Sequence, residues 1–370
     1  MTTPIACNLL WLRPGVVGGT ESYAVRLLAS LAEHAPATAV DVYAMGRAAE
    51  VHTAVLSSHG LHTSPRADAP APLRVGLERT WLARTLRDNP HRLVHHLGGT
   101  VPSVDGGPTA VTIHDLQPLH DPSNFSGLKR RWLARAIPAA IQAADLICTP
   151  SDWVAETIQE RFDVGRASVR TVSAHARPTS TAQPRPTASV EHLLSAGPVL
   201  LYPAMTMAHK NHRMLFRAFS VAAERRADLQ LVCVGAVGRD HEELVVAAAA
   251  LSDRIHLLGH VPAEDLSALM AGAEALVFPS RYEGFGLPVL EAQQVGLPVV
   301  ASNATALPEV AGRGALLLDP DDVDPWIDVM SAPLPADTRI DLIRAGAANA
   351  ERYTPESMAA AQVAAWETIT

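Results

Sequence analysis

Short apolar runs alternate with longer stretches of helical period along the chain, and the alternation occurs twice. In the first half, apolar runs at 5–11, 40–44, 93–97, 110–113 and 146–149 predict strands. Stretches at 19–33, 128–143 and 151–161 predict helices between them. Strand and helix in turn is the pattern of a parallel, doubly wound sheet. Residues 177–197, "RPTSTAQPRPTASVEHLLSAG", break that pattern and read as a linker. The alternation resumes at 199–202, 229–234, 255–258, 276–278, 298–301 and 315–318. The pattern therefore predicts a first domain over 1–176, a second over 198–351, and a ligand cleft facing the carboxyl ends of their strands. The last stretch, 352–370, reads as a helix capped near Thr354, with Glu356 close behind.

Composition fits this division. A length of 370 residues suits two domains, and 48% hydrophobic with only 5% aromatic residues means cores packed by Ala, Val and Leu. The net charge of −8 offers nucleic acid no general attraction, so none is expected as a partner. Three scattered cysteines, Cys7, Cys148 and Cys233, fit a reducing cytoplasm and show no metal-ligand spacing. No apolar run is long enough to span a bilayer. The opening segment lacks the basic stretch and cleavage site of a signal peptide, so it reads as a first strand.

The chemistry concentrates in residues 275–302, "ALVFPSRYEGFGLPVLEAQQVGLPVVAS". A buried strand ends near Pro279, a loop with Gly284 and Gly286 follows, and Pro288 marks the start of a helix. Glycines before a helix let backbone N–H groups approach an anion, and the helix dipole adds partial positive charge. This predicts a diphosphate cradle over Gly284, Phe285, Gly286 and Leu287. Glu283 stands on its lip, and Glu291 about one turn inside the helix, where a carboxylate can accept from vicinal hydroxyls.

"E-G-F-G-L-P-x-L-E-A" resembles the signature of the retaining glycosyltransferases of family four, and further segments resemble that family in order along the chain. They are "WLRPGVVGGTESYAVRLL", "VTIHDLQPL", "ADLICTPSDW", "HKNH" and "SNATALPEVAG". The resemblance implies the GT-B fold: two Rossmann-like domains facing across a cleft, with the final helix crossing back to the first. It implies a metal-independent, retaining transferase without a cofactor, moving a hexose from a nucleotide-diphosphate donor, GDP-mannose first, to a glycan or lipid-linked acceptor. Glu291 would then bind the donor ribose, Glu283 the transferred sugar, and Lys210 the diphosphate. Gly18 and Gly19 would approach the phosphates, and His114 would hydrogen-bond the sugar, with Asp115 shaping its loop. Asn303, Thr305 and Glu309 rank second, and acceptor contacts are expected in the loops 98–107 and 116–127. One departure stands out: where many members carry an arginine shortly before the lysine, this chain reads "YPAMTMAHK", which leaves Arg281 or Arg213 to support Lys210.

Other readings fit parts of the same pattern. A GT-B enzyme of another class, a phosphorylase or an epimerase, shares the architecture, and a non-catalytic nucleotide-sugar binder could keep the binding residues. His209 and His212 lack the spacing of a metal site and read as a solvated helix start. "D-P-D" at Asp319 reads as a turn and helix cap rather than a metal motif. Residues 127–141, "GLKRRWLARAIPAAI", fit either a helix with a charged outer face or a peripheral dock on anionic membrane.

Overall fold

The structure, a computed structural model, describes residues 3–16, 18–102, 107–122, 127–176 and 186–370. Parts of the expected acceptor loops (103–106 and 123–126) and of the expected linker (177–185) lie outside the described residues. The chain forms two compact units, Met1–His175 with Tyr353–Thr370, and Ala176–Arg352.

The first unit is built on a seven-stranded sheet whose paired strands are all parallel. Its strands are β1 (Ile5–Leu9), β2 (Val40–Ala44), β3 (Gly60–Thr63), β4 (Val94–His96), β5 (Thr109–Thr112), β6 (Leu146–Thr149) and β7 (Ser168–Thr171). They lie in the order β3-β2-β1-β4-β5-β6-β7. The second unit carries β8 (Val199–Pro203), β9 (Gln230–Val234), β10 (Ile255–Gly259), β11 (Ala275–Phe278), β12 (Val299–Ser302) and β13 (Leu316–Leu318). Their order is β10-β9-β8-β11-β12-β13, again parallel. Both sheets reverse their winding beside the first strand, at β1/β4 and at β8/β11. In an open α/β sheet the carboxyl ends of two such strands leave a crevice, because their connections depart in opposite directions.

The inner strands are covered on both faces by helices, so they read as continuous apolar runs; every residue of β1, β5, β6, β9, β11 and β12 is buried. The edge strands β3 ("GLHT") and β7 ("SVRT") were absent from the sequence-based expectation, since neither residue string carries that signal. The expected linker also needs correction. Its second half is the helix Ala188–Ala196, which buries Val190 and Leu193 and belongs to the second unit. Its start is fixed by Asp265, whose carboxylate accepts from the Thr187 backbone N–H at 2.7 Å and the Thr187 hydroxyl at 3.0 Å.

The closing helix, Pro355–Glu367, packs against the helix Gly19–His34 in the first unit. Thr354 caps it in a capping box whose partner is Ser357 rather than Glu356. Trp366 is 1% exposed and its indole N–H donates to His95 Nδ1 at 3.1 Å. Burying a side chain of that size contributes on the order of 2–3 kcal/mol.

Candidate active site

In the second unit, the crevice at β8/β11 brings together two residues 73 positions apart. The Lys210 ammonium donates to Glu283 Oε1 at 2.5 Å, and the two side chains are 17% and 12% exposed. Lys210 Nζ also stands 5.8 Å from the centre of the Phe278 ring, within cation–π range. Opposite charges held this far out of water each offset the desolvation of the other.

The pair is placed by backbone latches. Ala208–Lys210 forms a single 3₁₀ turn that ends at Asn211, a non-glycine residue in the left-handed region at φ 61°. The Asn211 amide holds that conformation by donating to the carbonyls of Pro279 (3.2 Å) and Pro320 (2.7 Å). The Tyr202 hydroxyl donates to the Lys210 carbonyl at 2.5 Å and lies 3.1 Å from Ser280 Oγ. The Arg281 backbone N–H donates to the His209 carbonyl at 2.8 Å, tying the lysine turn to the loop after β11. On the other side, Glu283 N–H donates to Thr305 Oγ1 at 3.0 Å. Thr305 itself takes φ 55°, so the residue ranked second-tier in the sequence positions Glu283 through a strained turn. Asn211 stood inside a recognised motif without a role, whereas Tyr202 and Ser280 carried no signal in the sequence because only the fold brings them to the turn.

The glycine loop follows directly. Gly286 caps the helix Leu287–Gln294 at φ 111°, and a Cβ there would come within 2.6 Å of Leu307 Cδ2, so both conformation and space call for glycine. Pro288 sits in the first turn, where its missing N–H costs nothing. Pro288 has no N–H and the Val289 N–H donates to the Gly286 carbonyl at 2.9 Å, so the backbone donors that this helix start offers a ligand are those of Gly286 and Leu287. Phe285, just before this helix start, is buried, and Glu291 is half-buried further along the helix.

Three expectations are revised here. His212 is no solvated helix start: it is 2% exposed, its ring lies 4.8 Å from that of Tyr202, and burial lowers its pKa to about 3. The arginines offered as a second cation turn elsewhere, Arg213 to Glu243 and Arg281 to Asp321 at 2.6 Å. Asp319 accepts from Asp321 N–H within a turn, but the following helix is capped by Asp322.

In the first unit, His114 lies just beyond β5. Its Nε2 is 2.8 Å from the Leu97 carbonyl. A carbonyl only accepts, so Nε2 carries the proton and Nδ1 is left as an acceptor. Burial lowers its pKa to about 4 against the opposing pull of the Leu97 bond, so the ring is neutral at pH 7. Tyr23 meets it edge-on at 5.0 Å. Asp115 Oδ1 accepts from Gln117 N–H at 2.9 Å, which shapes the turn after His114. Gly18, at φ 59°, precedes the helix that begins at Gly19. Glu21 braces this loop: one carboxylate oxygen accepts from Gly15 N–H at 2.9 Å and the other meets His52 Nε2 at 2.8 Å. That brace was not anticipated, although Glu21 lies in the quoted glycine segment.

Two family models match the chain, Glycosyltransferase Family 4 over residues 17–174 and Glycosyl transferases group 1 over 197–334, so that each unit carries one. The chain belongs to the family-four, group 1 glycosyltransferases, and its fold is GT-B. It is similar to the O-antigen chain mannosyltransferase B of Escherichia coli, 32% identical over 220 residues that make up 58% of each protein; the match spans little more than half of that relative. Among solved structures it resembles sucrose-phosphate synthase of Thermosynechococcus elongatus, with a TM-score of 0.75, 19% identity and 99% of both chains covered. It also resembles Anabaena HepE in complex with UDP and glucose, with a TM-score of 0.73, 18% identity and 99% of both chains covered.

Proposed function

We propose that the protein transfers a hexose from a nucleotide-diphosphate sugar to a glycan or lipid-linked acceptor with retention of configuration and without a metal ion. The observation that supports this most is the Lys210–Glu283 pair beside the Gly286 helix start, at the β8/β11 crevice. A diphosphate arriving there takes Lys210 as its counter-ion and the helix-start amides as donors, and Glu283 is released to accept from sugar hydroxyls. As the bond from the anomeric carbon to the diphosphate oxygen breaks, negative charge grows where Lys210 and those amides already stand. The acceptor oxygen bonds the anomeric carbon on the same face and its proton passes to the departing diphosphate. Glu291 binds the ribose, and neutral His114 accepts from a hexose hydroxyl through Nδ1. GDP-mannose is the first donor to test, because the Escherichia coli relative is named a mannosyltransferase.

Calorimetric titration of GDP, UDP, dTDP and ADP in EDTA tests the donor half of this reading. One nucleotide should bind in EDTA, and Glu291→Ala should weaken it by about tenfold, the loss of a charge-assisted pair of hydrogen bonds. Binding that needs a divalent ion would reject the metal-free site. The anomeric configuration of the product, read by NMR, decides retention.

The acceptor half includes a membrane. The helix Gly127–Ala143 buries Leu133, Ile137, Ala140 and Ile141 but leaves Leu128 83% and Trp132 44% exposed among Lys129, Arg130, Arg131 and Arg135. Apolar residues outside the core-facing stripe and framed by cations suit an anionic lipid surface. The paired change Arg130→Glu and Arg131→Glu should cut sedimentation with phosphatidylserine-rich vesicles several-fold, at ~1 kcal/mol per charge near such a surface. Equal sedimentation of variant and wild type would leave the helix as an ordinary solvated face.

A further inference from the structure

We propose that Trp11 is an acceptor-binding residue, whose indole beside His114 in the first unit receives a pyranose ring of the acceptor. The inference rests on the transferase reading and adds the chemical class of the second substrate.

Trp11 follows β1 and Gly98 follows β4, so the indole lies in the crevice where the winding of the first sheet reverses. Three contacts fix it. The indole N–H donates to the Asn8 carbonyl at 3.2 Å, and the Trp11 carbonyl accepts from Arg74 on the helix Ala71–Leu77. Gly98 packs against the five-membered part of the ring, where a Cβ would come within 2.4 Å of Cδ1 and Cγ and 2.9 Å of Cδ2. Tryptophans that belong to a core are covered: Trp326 and Trp366 are 0% and 1% exposed. Trp11 is held as firmly and yet is half-buried, with part of its surface left to the crevice. An aromatic ring that is already fixed loses little freedom when a ligand packs on it.

What the indole has left to offer selects the ligand. Its N–H is spent on Asn8, so it presents only apolar ring surface to the crevice. His114 stands beside it with ring centres 6.4 Å apart, and keeps Nδ1 as an acceptor for a hydroxyl of the transferred hexose. The planes of the two rings are tilted by 53°. The Nδ1 lone pair lies in the imidazole plane, so a sugar flat on the indole turns away from it, and the two groups suit neighbouring rings. The ring next to the transferred hexose is the acceptor's, and it carries the attacking hydroxyl. The group on Trp11 therefore needs a hydroxyl at its edge and an apolar face. The reacting end of a lipid phosphate has no apolar face, and an alkyl alcohol has no flat one. A pyranose has both, with hydroxyls around its rim and C–H groups on its faces.

The test is saturation-transfer NMR on the full chain, with irradiation of aromatic protons and the methyl pyranosides of glucose, galactose and mannose as probes. At least one glycoside should receive saturation mainly on the C–H groups of one ring face. Trp11→Leu should weaken its binding about tenfold, whereas Trp11→Phe, which keeps a ring against Gly98, should stay within about threefold of wild type. Gly98→Ala drives a methyl group into the indole without changing the indole's own chemistry, and should weaken binding severalfold. Urea unfolding of each variant separates a lost fold from a lost contact. No glycoside binding, binding that ignores Trp11→Leu, or Trp11-dependent binding of farnesyl phosphate in place of the glycosides overturns the proposal. So does a parallel loss of nucleotide affinity in Trp11→Leu, which assigns the indole to the donor. Glycoside binding is read without nucleotide, and the nucleotide titration reports on the transferase reading, so the two fail separately.

Discussion

Replacing Lys210 by alanine is expected to lower turnover of the donor by about a hundred- to a thousandfold, the effect of removing one preorganised group from developing charge. Nucleotide affinity should fall much less, since the amides at the Gly286 helix start remain. The same change leaves Glu283, 12% exposed, without its counter-charge, so the second unit should also lose about 2 kcal/mol of stability. Activity and stability then separate in a double variant. Lys210→Met combined with Glu283→Gln removes both charges and should recover most of the stability while turnover stays at the floor. Donor hydrolysis and urea unfolding of Lys210→Met, Glu283→Gln and the double variant measure this as a cycle. If Lys210→Ala kept turnover within threefold of wild type, the lysine would be only a structural partner of Glu283.

The same pair shows which parts of the site could be read from the chain. Lys210 and Glu283 are 73 residues apart and no spacing rule joins them; the family resemblance of "HKNH" and "EGFGLP" selected both. The distance between them follows from β8 and β11 pairing at the point where the winding reverses. Tyr202, Ser280 and Asn211 act on the lysine turn through one hydroxyl or amide each, and isolated polar residues have no pattern to betray them. The strands followed the same logic. Buried parallel strands gave unbroken apolar runs and were found, whereas β3 and β7 lie at sheet edges with polar residues. The helix Ala188–Ala196 was hidden by prolines before it, and the carboxylate that holds its cap residue Thr187, that of Asp265, is supplied from 78 residues away. His212 misled because a polar residue at a helix start is usually solvated, yet here the Tyr202 ring covers it.

Mild acid should destabilise the protein steeply, and the first unit before the second. His95 and His96 are 0% and 2% exposed, and burial lowers their pKa values to about 3 and about 4 from an ordinary 6.5. Their hydrogen bonds oppose protonation as well. His95 Nδ1 accepts from the Trp366 indole N–H, and His96 Nδ1 lies 3.1 Å from Asn8 Nδ2, whose amide is oriented by Leu10 N–H donating to Asn8 Oδ1. Protonating either nitrogen would set two donors face to face. The unfolded chain takes up these protons as pH falls below 6.5, and the folded chain does so only near pH 4 and below. Stability is therefore intact above about pH 7 and is lost through the window between 6.5 and 4. From pH 7 to pH 5 each buried histidine costs about 2 kcal/mol, so the first unit loses about 4 kcal/mol from this pair, a large share of a domain's usual 5–15. The second unit loses about half as much through His212, whose pKa lies at about 3. Urea unfolding at pH 7 and pH 5, followed by fluorescence of Trp366 against that of Trp326, should show the first unit's midpoint fall further. His212→Phe, which keeps an aromatic ring against Tyr202, should flatten the pH dependence of the second unit alone. Equal midpoints at the two pH values would mean that these histidines take up protons in the folded protein as readily as in the unfolded chain.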